Sequence, residues 1–158
     1  MVVEIGKDDS NYIEQVVHMR YLMQFEEGVN ENLIFSKEKE IKRNTFNFIN
    51  EHLGSDLFIF GYVLDGKLVS TASLIVHKYF PNILYPNGYK GTLSNVYTLK
   101  DYRGRGFQKK LIKSIKDKAF ELNMNSIRVN SNNEIAIKMY LKLGFIKNDN
   151  NYKINFHS

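Results

Sequence analysis

Two stretches of this chain carry residues whose types and spacing could do chemistry. The first runs Asn95-Val96-Tyr97-Thr98-Leu99-Lys100-Asp101-Tyr102-Arg103-Gly104-Arg105-Gly106-Phe107-Gln108-Lys109. It reads as a strand that enters a basic, glycine-containing turn and then a helix. The first N–H groups of a helix have no intrahelical acceptor, and the helix dipole adds positive potential there. Gly104 and Gly106 let the backbone approach a ligand closely, and Arg103 and Arg105 supply charge. That combination suits a phosphate. Neither the GxxxxGK[ST] of a P-loop nor a GxGxxG dinucleotide fingerprint occurs. A solvated basic turn can have the same composition, so this stretch alone leaves both readings open.

The second stretch lies one helix and one strand downstream, from Asn133 to Phe145. At about 100° per residue, Asn133, Ala136 and Tyr140 share one helix face. A polar end, a small middle and a phenol suit a face along which an extended ligand passes. The alternative is structural: Ser131-x-x-Glu134 reads as a capping box, with Asn133 serving the helix start and Tyr140 the packing.

Together the two stretches resemble the GNAT superfamily of N-acetyltransferases. Its coenzyme loop, [Q/R]xxGx[G/A], is matched by Arg103-Gly104-Arg105-Gly106-Phe107-Gln108, except that Gln108 stands where Gly or Ala is preferred. Its later pattern, NxxAxxxYxxxGF, is matched in full by Asn133, Ala136, Tyr140, Gly144 and Phe145. The motifs span Asn95 to Phe145; the rest of the chain agrees only in its order of elements.

The resemblance implies acetyl-CoA as cosubstrate. Backbone amides of Arg103, Gly104, Arg105, Gly106, Phe107, Gln108 and Lys109 would hold its pyrophosphate. Val96, Tyr97 and Thr98 would pair with the pantetheine arm, and Asn133 would hydrogen-bond it from the other side. Backbone binding would make Gln108 tolerable. A neutral primary amine would attack the thioester, with a backbone N–H near Thr98 stabilising the oxyanion. Tyr140, with an ordinary pKa near ~10, would be the catalytic acid toward the departing thiolate.

The base is less legible. Some family members carry a Glu early in the strand before the loop, where this chain has Gly91-Thr92-Leu93-Ser94-Asn95. Glu26 and Glu27 are candidate substrate-side carboxylates, and a water chain is an alternative base. Arg20, Met23 and Glu26 share three-residue spacing, similar to an R-x-x-M-x-x-E arrangement in some small-molecule members of the superfamily. A solvated helix end is the competing reading. The expected acceptor is a small-molecule amine. The alternatives are a protein or peptide acceptor, or a non-catalytic acyl-CoA-binding module.

The elements needed to position these residues can be read along the chain. Val2–Ile5 alternates as a strand. Asp8-Asp9-Ser10 offers caps for a helix through Ile13, Val16, Val17, Met19 and Met23 to Gly28. Ser36 would cap a second helix ending at Leu53-Gly54. Leu57–Leu64 and Leu68–Val76 form a hairpin about Asp65-Gly66. Thr92–Leu99 is a strand, Arg105–Leu122 a helix, Ser126–Asn130 a strand and Asn133–Leu143 a helix. Phe145–Lys147 and Tyr152–Phe156 read as closing strands. Hairpins mixed with crossover helices predict one α/β (α+β) domain over residues 1–158, with a mixed, mostly antiparallel central sheet flanked by helices.

Composition narrows the function classes. The 158 residues suit one core, and 43% hydrophobic with 13% aromatic residues argues against disorder. No cysteine occurs, which removes disulfides, thiolate metal sites and a cysteine nucleophile. His18, His52, His77 and His157 are scattered, so no metal is expected. Neither a signal peptide nor a membrane-length apolar run is visible, and a cytoplasmic location without membrane association is expected. The net charge is +5, from 22 Lys and Arg against 17 Asp and Glu. Nucleic acid is a disfavoured partner, because Lys109, Lys110, Lys113 and Lys116 fit the outside of one helix instead of an aromatic-interleaved stripe. Dimers are common in the superfamily, so a homodimer is compatible with the sequence.

Overall fold

A computed structural model describes residues 1–148 and 154–155. Its order is β1 (Val2–Ile5), α1 (Ser10–Glu26), α2 (Glu31–Ser36), α3 (Glu38–His52), β2 (Leu57–Leu64), β3 (Lys67–Lys78), β4 (Tyr89–Thr98), α4 (Phe107–Glu121), β5 (Ile127–Arg128) and α5 (Glu134–Lys142). The strands lie in sequence order in one sheet. The pairs β1–β2, β2–β3 and β3–β4 are antiparallel, and β4–β5 is parallel. This is the mixed, helix-flanked architecture the sequence predicts.

Period-two alternation sorts β2 between two cores. Leu57 and Ile59 pack with Ile13, Val16 and Met19 of α1 and Ile49 of α3. Phe58 and Phe60 pack with Leu111, Ile112 and Ile115 of α4 and Tyr140 of α5. Covered on both faces, β3 is buried from Leu68 to Leu74, including Ser70, Thr71 and Ser73. The Asp65-Gly66 turn has positive φ at both residues, 48° and 75°, as a tight two-residue hairpin requires.

Several expected boundaries move. Ser36 does not cap a helix: it ends α2, and its hydroxyl donates to Leu33 O. The sequence reading missed α2, which Asn30 caps by accepting from Leu33 N–H at 3.2 Å. The helix expected from Arg105 begins at Phe107, and the strand expected over Ser126–Asn130 shrinks to Ile127–Arg128.

Phe145–Lys147 is not a strand. Gly144 has φ 93°, and Phe145 N–H donates back to Tyr140 O at 3.0 Å, so Gly144 and Phe145 close the end of α5. The strand expected over Tyr152–Phe156 lies outside the described residues, apart from Ile154 and Asn155, which have no regular structure.

Candidate functional site

The sheet opens between β4 and β5. Their pairing is limited to Gly91 with Ile127 and Thr92 with Arg128. Beyond Thr92, the β5-facing edge of β4 has no strand partner among the described residues through Thr98. On its other side, β4 pairs with β3 but carries one extra residue: Thr71 faces Tyr97, whereas Ser73 faces Ser94. This is a β-bulge, with Asn95 at φ 51°, a conformation asparagine tolerates better than most residues.

Gln108 ties the first turn of α4 to this interruption. Its side-chain Nε2 lies 2.9 Å from both Ser70 Oγ and Thr71 O, and 3.1 Å from Tyr97 O. The amide therefore serves backbone carbonyls beside the bulge, where the strand ladder is disturbed. Only backbone binding was expected of Gln108; its side chain instead points into the sheet. The family motif offered no signal for this, since it prefers Gly or Ala there.

The turn after β4 forms a cradle. Gly104 and Gly106 have φ of 76° and 75°, and a Cβ at either would meet nothing within 4 Å. Gly106 is the N-cap of α4 and provides no side-chain cap. The N–H groups of Gly104, Arg105, Gly106 and Phe107 find no acceptor among the described residues. Exposed donors at a helix start, with unfilled space beside the glycines, fit a phosphate group. Phe107 offers the cradle only its backbone, because its ring stacks on Tyr62 at 4.2 Å inside the molecule. Arg105 donates to Asp101 O at 3.2 Å, and Lys109 is exposed.

Glu26 reaches this region from the end of α1. Its Oε1 accepts from the Tyr97 hydroxyl at 2.9 Å, and its Oε2 pairs with the Arg103 guanidinium. Arg103 Nε also donates to Thr98 O at 3.0 Å. Burial, with the neighbouring Glu26 carboxylate, pushes the Tyr97 hydroxyl up to about 12. Glu27 sits apart on the exposed side, accepting from Gln24 at 3.4 Å.

Across the opening, Asn133 caps α5 by accepting from Ala136 N–H at 3.0 Å, so Asn133 and not Ser131 is the N-cap. Ser131 Oγ accepts only from Asn133 N–H. Ala136, Met139 and Tyr140 form the inward stripe of the helix. Tyr140 is 6% exposed, its ring lies 5.5 Å from that of Phe145, and burial raises its hydroxyl above the ordinary value. It lines a cleft with Val129 and Asn130 beyond the end of β5.

On the α1/α3 face of the sheet lies a second cavity of about 430 Å³, whose lining includes Arg20 of α1, Phe48 of α3 and Asn95 at the bulge. Among the described residues no group of three or more His, Asp or Glu side chains could hold a metal ion, and no helix is long and apolar enough to cross a membrane.

The model of the acetyltransferase (GNAT) family matches residues 21–145. The chain belongs to that family. The match covers the strand, the glycine turn and the Asn133–Tyr140 helix together. Solved GNAT-type structures share the fold. A predicted acetyltransferase from Clostridium acetobutylicum, crystallised with acetyl-CoA, superposes with a TM-score of 0.81 at 22% identity, covering 98% of this chain and 95% of that one. A GCN5-related N-acetyltransferase from Ralstonia eutropha gives 0.79 at 17% identity, covering 98% and 97%. An aminoglycoside acetyltransferase from an uncultured soil metagenomic sample gives 0.73 at 17% identity, covering 99% and 98%. No curated protein sequence matches this GNAT chain.

Proposed function

We propose that this GNAT protein transfers the acetyl group of acetyl-CoA to a primary amine. The supporting observation is the run of N–H groups from Gly104 to Phe107 that find no acceptor among the described residues, placed directly after the open edge of β4. The pyrophosphate binds at that turn, and the pantetheine arm lies along Val96, Tyr97 and Thr98. Asn133 has its Oδ1 engaged in the cap, so its Nδ2 is the donor it offers the pantetheine.

Acetyl-CoA supplies an activated thioester. The amine nitrogen attacks the thioester carbon, a C–N bond forms, and the C–S bond breaks with its electron pair leaving on sulfur. Tyr140 gives that sulfur its proton and recovers one from solvent. The proton lost by the amine passes to water. A phenol whose pKa is raised by burial remains protonated at neutral pH, as this role requires.

Thermal unfolding with acetyl-CoA tests the binding, and thiol release with an amine panel tests the transfer. At about 100 times Kd the ligand adds about 2.7 kcal/mol of stability. Absence of binding by calorimetry at millimolar acetyl-CoA overturns the proposal. Binding without thiol release from any amine supports a non-catalytic module instead.

A further inference from the structure

We infer that the acceptor is a small amine carrying its own carboxylate, bound in the cavity between α1, α3 and the bulge of β4. This inference rests on the acetyl-transfer reading above and narrows it to a substrate class.

The cavity measures about 430 Å³, a size that suits a small molecule. Among the described residues its lining contains a single charged side chain, Arg20. Arg20 is half-buried and has no hydrogen bond or ion pair among the described residues. A partly desolvated guanidinium without a partner is costly, and a ligand anion removes that cost. One guanidinium presents a fork that matches a single carboxylate in bidentate geometry. A phosphate dianion calls for more than one cation, and the described residues of the lining hold no second one.

The bulge marks where the amine goes. Asn95 lines the cavity, with its Oδ1 shielded from solvent and without a donor among the described residues. It belongs to the bulge, next to Val96, where the reacting end of the pantetheine would lie. The amine of the acceptor points to this end of the cavity, where the thioester would come within reach. Gln24 and Asn44 add neutral polar contacts, whereas Ile41 and Phe48 form an apolar wall. The demanded shape is therefore a carboxylate at one end, an amine at the other and an apolar body.

The lining also argues against a polyamine acceptor. Among the described residues it holds no carboxylate, and Glu26, whose carboxylate meets the cofactor turn through Arg103, is already engaged by Arg103 and Tyr97. A polycation entering here meets Arg20 and finds no counter-charge.

The test uses the full chain with acetyl-CoA and follows thiol release. Apolar α-amino acids are compared with their carboxamides, with the corresponding decarboxylated amines and with amino-sugar phosphates. Arg20→Met is the variant, and calorimetry of the same amino acids in the presence of CoA gives a second readout. We expect kcat/KM for the best amino acid to exceed that of its carboxamide by about 100-fold, the size expected for a charge-assisted contact. Arg20→Met should abolish most of that preference while leaving acetyl-CoA affinity unchanged. Equal turnover of acid and carboxamide overturns the inference, as does a preference that survives Arg20→Met. Preference for the phosphates overturns the carboxylate assignment. Acetyl-CoA binding with no acid bound or acetylated refutes the substrate class and leaves the cofactor reading intact; failure to bind acetyl-CoA removes both.

Discussion

The Tyr97 hydroxyl donates to Glu26 Oε1 at 2.9 Å, joining the last turn of α1 to the end of β4 across 71 residues of sequence. The same carboxylate pairs with Arg103, so one acid organises both the strand and the turn that follows it. The arginine at the start of the coenzyme-loop motif is thus committed to a protein partner. The phosphate cradle relies on backbone N–H groups accordingly.

This relationship has a pH signature. The folded-state pKa of Tyr97 is raised to about 12, above the ordinary value of 10.0. The stabilisation associated with its proton is fully present below pH 10 and is lost as pH rises from there toward 12. Tyr97→Phe should cost about 1 kcal/mol at pH 8, from the lost hydrogen bond. Between pH 10 and 12 the wild type should lose stability more steeply than the variant. Urea unfolding at pH 8, 10 and 11.5 checks this, and parallel curves for the two proteins would refute the assignment.

Gln108→Ala removes the amide that bridges α4 to Thr71 O and Tyr97 O. Buried carbonyls beside the bulge then lose this donor, although Tyr97 O keeps Ser70 Oγ at 3.4 Å, at a cost of about 1–3 kcal/mol. Chemical denaturation should show that loss. A variant as stable as the wild type means that the clamp contributes nothing.

Gly106→Val places a β-branched residue at φ 75°. The backbone cost is at least roughly 1–2 kcal/mol. No protein atom obstructs the new Cβ, so the protein still folds, and the larger effect falls on the ligand that shares this space. Acetyl-CoA affinity should drop at least about tenfold, or ~1.4 kcal/mol. Calorimetry on the folded variant decides it; an unchanged Kd places the phosphate elsewhere.

Tyr140→Phe keeps the ring against Phe145 and deletes only the hydroxyl. Acetyl-CoA binding should change little, because the proton matters when charge develops on sulfur. Turnover should fall on the order of 10²-fold. Measured with an accepted amine under conditions where chemistry limits the rate, full kcat in the variant removes the acid role.

What the sequence by itself determined were features written locally. Asp65-Gly66 specified the hairpin, because those residues tolerate positive φ and flank two apolar strands. Arg103–Gly106 announced the turn, and Asn133, Ala136 and Tyr140 announced the family, because each set spans only a turn or two of chain. Phe145–Lys147 reads as a strand for the same local reason, but Phe145 at its start donates its N–H back to Tyr140 O of α5. Only the tertiary structure decided which distant groups meet. Glu26 with Arg103, Gln108 with Thr71, and Arg20 with Asn95 in the lining of one cavity each join separate elements. Such pairings depend on sheet order and on one extra residue in β4. A bulge turns a polar side chain from one environment to another without leaving a periodic signal in the sequence.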